Sequence, residues 1–228
     1  MSAQSPDDAF ESLVTLNRAL LAQHLLRGIA HDLRNNLQVL ALGAEVPGST
    51  PRPLAARLEQ ATDAMTETLD LLGGLGRMEP DPAPSSDLGT VLAHLTRLAD
   101  LMRNLPDGRV EIGPTPAGLE VAVPPTTLSQ ILLNLLANAR EASPPGAAVR
   151  IRIGERSGDR IEVVVEDEGT GLPASAGELW RTSRERRSHG GIGYGVAAGL
   201  LARHGGEVRH RRVPTSQVVV TLPLIDRG

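Results

Sequence analysis

A proline-rich segment separates two different patterns of apolar residues, and this change constrains the fold more than any other feature. Residues 79–86 read Glu-Pro-Asp-Pro-Ala-Pro-Ser-Ser, and prolines at this density interrupt both helices and strands. Before the segment, apolar residues recur at helical spacing; after it, helical and strand patterns alternate. We therefore predict a helical unit over residues 8–78, a linker over 79–86 and a mixed α/β domain over 87–225.

The first unit is predicted to form a helical hairpin. Helical spacing runs over residues 8–45 and 53–75, and the Pro/Gly-rich stretch 46–53 ends the first helix. Since a lone hairpin gives each apolar stripe only one partner, dimerisation into a four-helix bundle would bury the rest. The predicted stripe of the first helix comprises Ala22, Leu26, Ile29, Leu33, Leu37 and Leu40.

One histidine lies on the wrong side of this helix for packing. His31 is nearly opposite the stripe, Asp32 follows it directly, and Asn35 comes one turn later. An exposed imidazole beside a carboxylate is well placed to react, although by itself it could equally be a solvated surface histidine.

The second unit is predicted to alternate helices and strands. A helix over 87–104, with Asp87 as its N-cap, precedes strands near 109–112 and 119–123 and a helix over 124–143. The rest is predicted as strands at 149–153 and 161–165 with a turn at 154–159, a loop over 168–193, a helix over 194–204, and strands at 207–213 and 217–222.

Two asparagines stand beside the buried stripe of the helix over 124–143. Asn134 and Asn138 are four residues apart, so their carboxamides share one flank, with Glu141 nearby. Asparagine is a mediocre helix former, and a magnesium ion held by amide oxygens, water and phosphates would explain the pair. Buried amides bonded to the backbone are an equally good explanation of this motif alone.

A carboxylate followed by two glycines comes directly after the strand at 161–165. Asp167, Gly169 and Gly171 could accept a hydrogen bond from the exocyclic amine of adenine while a base approaches the glycine backbone. An ordinary strand-to-loop turn explains the motif more simply when it is considered alone.

A second glycine motif precedes the helix over 194–204. Gly191, Gly193 and Gly195 would let backbone amides surround phosphate oxygens at a helix N-terminus. Four arginines of the preceding segment, which could neutralise triphosphate charge as a lid or simply form a solvated loop, are Arg181, Arg184, Arg186 and Arg187.

Composition excludes several classes of protein. The net charge is −4, and the 23 basic residues, all arginine, show no sustained basic run outside 181–187, so nucleic-acid binding is not expected. Without cysteine there are no disulfides or thiolate metal sites. With no apolar run of about 18 residues and a polar, acidic start, we expect neither a membrane span nor a signal peptide, and a cytoplasmic location.

Taken in order, these motifs are jointly specific. From about residue 10 to residue 224 the chain resembles the two-component sensor histidine kinases. The segment His31-Asp-Leu-Arg-Asn35 resembles the family's H-box, Asn134 to Asn138 the N-box, Asp167-x-Gly169-x-Gly171 the G1 box, and Gly191-x-Gly193-x-Gly195 the G2 box. The resemblance implies an α+β protein: a phosphotransfer hairpin forming a dimeric four-helix bundle, then a Bergerat-fold (GHKL) α/β sandwich that binds ATP.

The resemblance also implies a role for each motif residue. His31 would accept the phosphoryl group, Asp32 would be the general base, and Asn35 would align water for dephosphorylating the partner. Asn138 would hold Mg²⁺ with help from Asn134. The adenine would be read by Asp167, and the nucleotide would be lined by Gly169, Gly171, Gly191, Gly193 and Gly195.

The resemblance also implies binding partners, and the chain differs from the family pattern at two positions. The implied partners are a second copy of the chain and the receiver domain of a response regulator. The sensory input would be missing or would come through a separate sensor protein. Tyr194 replaces the usual small aliphatic residue, and Trp180 stands in for the Phe of the F-box. Two other functions fit the chain: a non-catalytic phosphotransfer or scaffold protein, and a serine kinase of the anti-sigma type.

Overall fold

The computed structural model describes residues 5–44, 83–102, 109–171, 191–212 and 214–225, together with helical positions 56, 62, 63 and 66. Most of the predicted second helix, the turn at 46–53, and the arginine-rich segment with Trp180 lie outside the described residues. No helix in the described ranges is both long and apolar enough to cross a membrane.

Helix α1 spans Pro6–Ala44, close to its prediction. Its start is fixed by a reciprocal cap: Asp8 N donates to Ser5 Oγ (3.2 Å) and Ser5 N donates to Asp8 Oδ2 (3.3 Å). Pro6 occupies the first helical position, where its missing N–H costs nothing. The carboxylates of Asp7 and Asp8 lie in the first turn, where their negative charges interact favourably with the positive end of the helix dipole.

The face of α1 that is buried differs from the predicted stripe. Val14, Leu21 and Leu25 are buried, whereas Leu26 is 48% exposed. Around the helix axis these buried positions lie roughly 60–100° away from Ala22. This buried face contacts the α/β domain, and the stripe expected to pack within a dimeric bundle stays a prediction.

The α/β domain is built on a five-stranded sheet of strand order β2-β4-β5-β7-β6. Strand β2 is parallel to β4 and every other pair is antiparallel. A separate antiparallel pair joins β1 and β3. The strands are β1 (Ser86–Asp87), β2 (Arg109–Ile112), β3 (Glu120–Val121), β4 (Ala148–Ser157), β5 (Arg160–Asp167), β6 (Glu207–Arg212) and β7 (Ser216–Pro223).

Three helices pack against this sheet: α2 (Leu88–Met102), α3 (Pro125–Ala142) and α4 (Gly191–Arg203). The predicted N-cap of α2 is confirmed, because Asp87 Oδ1 accepts hydrogen bonds from Thr90 N and Thr90 Oγ1, both at 2.8 Å. Helix α1 in turn contacts all three helices. Its buried residues join the single core cluster formed by the sheet and the helices.

Two predicted boundaries need correction. The turn predicted over 154–159 is shorter, because β4 continues to Ser157 and only Gly158 and Asp159 form the turn. A bulge between Ile153 and Arg156 lets the strand continue past Gly154, where a Cβ would lie 2.8 Å from Glu162 Cβ. Ser86, the last residue of the predicted linker, belongs to β1 and pairs with Val121 of β3, while the limits of the linker stay a prediction.

The second boundary to correct is that of α4, which begins at Gly191 rather than near residue 194. Gly191 and Gly193 therefore lie within the helix rather than in the loop predicted over 168–193, and Gly195 lies within it as predicted. Glycine is a poor helix former, so local propensity does not favour this early start. The predicted α+β class, a helical N-terminal region followed by a mixed-sheet domain, is confirmed.

Candidate functional site

Helix α3 places the two asparagines of the N-box at the edge of the core. Pro125 opens the helix, since a proline at the first position needs no N–H partner. Asn134 is 2% exposed, and Asn138, one turn later, is half-buried. The apolar face that fixes the rotation of α3 consists of Leu128, Ile131, Leu132, Leu135 and Leu136, each at most 1% exposed.

Asn134 belongs to a buried amide cluster that joins α3 to α1. Asn17 Nδ2 donates to Asn134 Oδ1 at 2.7 Å, and Asn134 Nδ2 donates to Asn17 Oδ1 at 2.9 Å. Gln130 Nε2 also donates to Asn17 Oδ1 (2.9 Å), and Arg18 Nε donates to Gln130 Oε1 (2.9 Å). Asn134 Nδ2 further bonds the carbonyl of Gln130 at 2.9 Å. Both N–H donors of the Asn134 amide are therefore used within the chain, and its Oδ1 accepts one hydrogen bond.

The side chain of Asn138 differs from that of Asn134 in its hydrogen bonding. Among the described residues its Nδ2 is buried with no hydrogen-bond partner, and a buried polar group without a partner calls for an explanation, of which a ligand site is one. In the same described ranges no three His, Cys, Asp or Glu side chains are close enough to hold a metal. The carboxamide oxygen of Asn138 is chemically suited to a hard cation whose other ligands are phosphate and water.

Gly193 brings α4 against both asparagines. A Cβ at this position would lie 2.8 Å from Asn134 Oδ1 and 3.4 Å from Asn138 Oδ1, so a larger residue would displace the amides. The structure thus brings together the N-box and the second glycine motif, which are more than 50 residues apart in sequence. Sequence alone predicted both motifs but not this contact.

Asp167 ends strand β5 as a buried carboxylate, 4% exposed. Gly169 N donates to its Oδ1 at 2.8 Å, and Ser216 Oγ donates to its Oδ2 at 2.9 Å. His210 Nε2 lies 3.3 Å from Ser216 Oγ. An ionised carboxylate only accepts hydrogen bonds, and its remaining lone pairs can accept an amine such as that of adenine.

The two glycines after Asp167 are needed for close approach. A Cβ at Gly169 would lie 2.6 Å from the carbonyl oxygen of Ala142, at the end of α3. Gly171 has φ +79°, a conformation that favours glycine. The first glycine motif is therefore packed against the end of the helix that carries Asn134 and Asn138.

Tyr194 lies beside Gly193 in the first turn of α4, half-buried against the core. Burial raises the pKa of its phenol above 10.0, because desolvation disfavours the phenolate. Burial also lowers the pKa of Arg140, near the end of α3, below its ordinary value.

The H-box residues are not brought to this site. The backbone of His31, Asp32 and Asn35 lies within α1. His31 is 14 residues after Asn17 on one continuous helix, a separation of about 21 Å at ~1.5 Å per residue. The residues that contact the N-box are instead from the beginning of α1.

Sequence analysis missed four residues of the site. Asn17 and Gln130 form the amide cluster, and Ser216 and His210 support Asp167. A polar residue within the apolar spacing of α1 was a signal for Asn17, since it falls between buried Val14 and Leu21. The other contacts depend on chain segments that are distant in sequence.

Comparison with known proteins identifies the domain. Residues 124–226 match the family of histidine kinase-, DNA gyrase B- and HSP90-like ATPases. The signal transduction histidine-protein kinase/phosphatase MprB of Mycolicibacterium smegmatis is 28% identical over 205 residues, covering 82% of this chain and 40% of that protein. MprB of Mycobacterium sp. strain KMS is 30% identical over 203 residues, covering 82% and 38%.

These alignments extend well beyond the matched domain, because they cover 82% of this chain. The chain spans about 40% of the length of these relatives. Among solved structures, the catalytic domain of histidine kinase ThkA matches with a TM-score of 0.50 and 19% identity over 61% of this chain and 94% of that one, a likeness of fold. The mycobacterial sensor histidine kinase MprB gives 0.49 at 26% identity, covering 61% and 96%.

The ordered motifs, the mixed sheet with its helices, and these relatives agree on one family. The chain belongs to the two-component sensor histidine kinases, with a GHKL-type ATPase domain that includes residues 124–226.

Proposed function

We propose that the chain uses ATP to phosphorylate its own His31 and passes the phosphoryl group to an aspartate of a response regulator. The observation that carries this proposal is the meeting of three motifs on α3. Gly193 packs against Asn134 and Asn138, and Gly169 packs against the end of the same helix beside Asp167. An adenine acceptor and a phosphate-side ligand are therefore held on one rigid frame.

In this proposal Asp167 accepts the adenine amine while Ser216 and Gly169 N hold its carboxylate in place. Asn138 supplies an amide oxygen to Mg²⁺, and Asn134 assists. A bound Mg²⁺ offsets the negative charge of the transferring phosphoryl group. The carboxamide oxygens serve this role without adding a negative charge of their own beside the triphosphate.

The phosphoryl transfer itself is proposed as an in-line displacement. A neutral nitrogen of His31 donates its lone pair to the γ-phosphorus, a P–N bond forms, and the P–O bond to ADP breaks with its electron pair leaving on ADP. Asp32 accepts the proton from the other ring nitrogen, which keeps the imidazole nucleophilic. The resulting phosphoramidate is an energetic donor for an aspartate carboxylate.

Further parts of the proposal concern partners. A second copy of the chain completes a four-helix bundle, and Asn35 aligns water when the response regulator is dephosphorylated. MprB is named as a kinase and phosphatase, which supports both phosphorylation and hydrolytic dephosphorylation of the response regulator in this proposal. Input from a separate sensor protein and a cytoplasmic location remain predictions, as do the domain limits 8–78, 79–86 and 87–225.

One labelling experiment tests the proposed reaction. The chain is incubated with γ-labelled ATP and Mg²⁺, and the stability of the bound label is measured in acid and in base. We expect an acid-labile, base-stable label that is absent from His31→Ala, with Arg34→Ala, an exposed neighbour on α1, as the matched control.

The other candidate functions give different results in the same experiment. A non-catalytic phosphotransfer or scaffold protein would acquire no label from ATP, although it would accept a phosphoryl group from a phosphorylated receiver domain. An acid-stable label would indicate a serine kinase. Either result would contradict the proposal.

A further inference from the structure

The first half of α1 is docked on the face of the domain that carries the proposed nucleotide site. Asn17 pairs with Asn134 in the amide cluster. The ring of Phe10 lies where a Cβ of Gly199 would be, so α1 approaches α4 at a position that only glycine permits. Val14, Leu21 and Leu25 are buried in the same contact.

The start of α1 is also held by charge. Arg203, the last residue of α4, is ion-paired with Glu11 and with Asp7, the latter at 3.0 Å. Its guanidinium lies 4.4 Å from the centroid of the Phe10 ring, a favourable cation–π distance. The contact thus combines apolar burial, an amide cluster and charge along residues 7–25.

We propose that docking of residues 7–25 and binding of Mg·ATP compete for this site, so that the docked helix is an autoinhibitory latch. The inference rests on the proposed function, because it takes Asn134 and Asn138 as nucleotide-side residues. Its basis is the state of Asn134: both amide atoms are bonded within the protein, and 2% of the residue is exposed. A ligand that takes the Asn134 carboxamide therefore has to compete with Asn17 for the same atoms.

The docked arrangement also separates donor from acceptor. In-line transfer requires reacting atoms about 3–3.5 Å apart. The backbone of His31 is about 21 Å along α1 from Asn17, which touches the N-box directly. The His31 of the same chain is therefore out of reach of a phosphate at Asn138 while α1 is docked.

The helix geometry indicates how the latch is released. Fourteen residues are close to four helical turns, so positions 17 and 31 lie within about 40° of each other around the axis. The docked part of α1 thus lies about four turns before position 31. Release of the latch frees the domain to move along the helix toward that position.

A reducible crosslink provides the test. The chain contains no cysteine, so Glu11→Cys and Arg203→Cys place the only two thiols at an ion pair of exposed side chains. A short bismaleimide with a disulfide in its spacer fixes the latch, and reduction releases it. The affinity for Mg·ATP is measured by calorimetry before and after reduction, and each single-cysteine variant treated with the same reagent is the control.

We expect the linked protein to bind Mg·ATP at least ten-fold more weakly than the reduced protein, and its His31 to remain unlabelled until reduction. Equal affinity in the linked and reduced states would overturn the latch while leaving the proposed function intact. Absence of ATP binding in the reduced and unmodified proteins would overturn the proposed function and the latch with it.

Charge reversal gives a second test that needs no crosslink. Arg203→Glu places a third carboxylate beside Asp7 and Glu11, and we expect faster amide exchange in residues 7–25 with tighter Mg·ATP binding. Adding Asp7→Arg and Glu11→Arg restores opposite charges, and we expect it to restore both the amide exchange rate and the affinity for Mg·ATP. If Arg203→Glu changes exchange but leaves ATP affinity unaltered, docking and binding are independent and the inference is wrong.

Discussion

Asn17 and Asn134 exchange two hydrogen bonds across the boundary between the N-terminal helix and the ATPase domain, at 2.7 and 2.9 Å. Each carboxamide offers one donor and one acceptor to the other, so the pair is matched in both directions. The contact is buried on both sides, with Asn17 at 4% exposure and Asn134 at 2%. A residue of the N-box is therefore hydrogen-bonded by the same helix that contains His31.

We expect Gly199→Ala to release α1 without unfolding the domain. A methyl group at this position overlaps the Phe10 ring, whereas alanine favours the helix itself by up to ~1 kcal/mol over glycine. Amide hydrogen exchange should therefore become faster in residues 7–25 and remain unchanged in β5 and β7. In a Phe10→Ala background the same substitution should have no further effect, because the clash has been removed; an equal effect in both backgrounds would contradict this prediction.

Asn138→Ala is expected to lower Mg²⁺-dependent labelling of His31 by ~100-fold, the scale of losing one well-placed charge-stabilising group. The free energy of unfolding of this variant should change little, because the Nδ2 of Asn138 has no hydrogen-bond partner among the described residues. Asn138→Asp, which keeps an oxygen at this position, is the matched variant and should retain part of the activity. Initial rates of labelling and urea denaturation measure the two effects, and full activity of Asn138→Ala would exclude it as the metal ligand.

Ser216→Ala should weaken ATP binding and lower the free energy of unfolding by about 1–3 kcal/mol, because it removes a hydrogen bond to a buried carboxylate. Ser216 is 2% exposed and donates to Asp167 at 2.9 Å. Ser216→Thr keeps the hydroxyl and should preserve ATP affinity. Calorimetry and denaturation distinguish the variants, and unchanged ATP affinity in Ser216→Ala would show that Asp167 is held without this residue.

Tyr194 should make stability fall in strongly alkaline solution. Burial raises the pKa of its phenol above 10.0, so the folded protein holds this proton more tightly than the unfolded chain does. The contribution is fully present below pH ~10, the unfolded pKa, and is lost as the pH rises through the folded pKa. Because the chain has a single tyrosine, tyrosinate absorbance follows this group alone, and Tyr194→Phe should remove the associated loss; a midpoint below 10.0 would contradict the prediction.

Local pattern was sufficient for most of the domain. The cap at Asp87, strand β2, and the buried face of α3 follow from residue types at fixed spacing, because caps and alternation act over a few residues. Where a close contact overrode local preference, the prediction failed. Gly191 begins α4 although glycine disfavours helices, and Gly154 continues β4 past the predicted turn.

The sequence alone determined the order of the motifs and the chemistry of each. These are a histidine beside a carboxylate, a pair of carboxamides, an aspartate followed by two glycines, and a separate set of three glycines. Tertiary structure decided which of them meet. It packed Gly193 on the two asparagines, supported Asp167 with Ser216, and bonded Asn17 to Asn134 across 117 residues of sequence. Such contacts depend on how whole elements pack in one core, and the periodicity of a single helix carries no information about which partner its buried face will find.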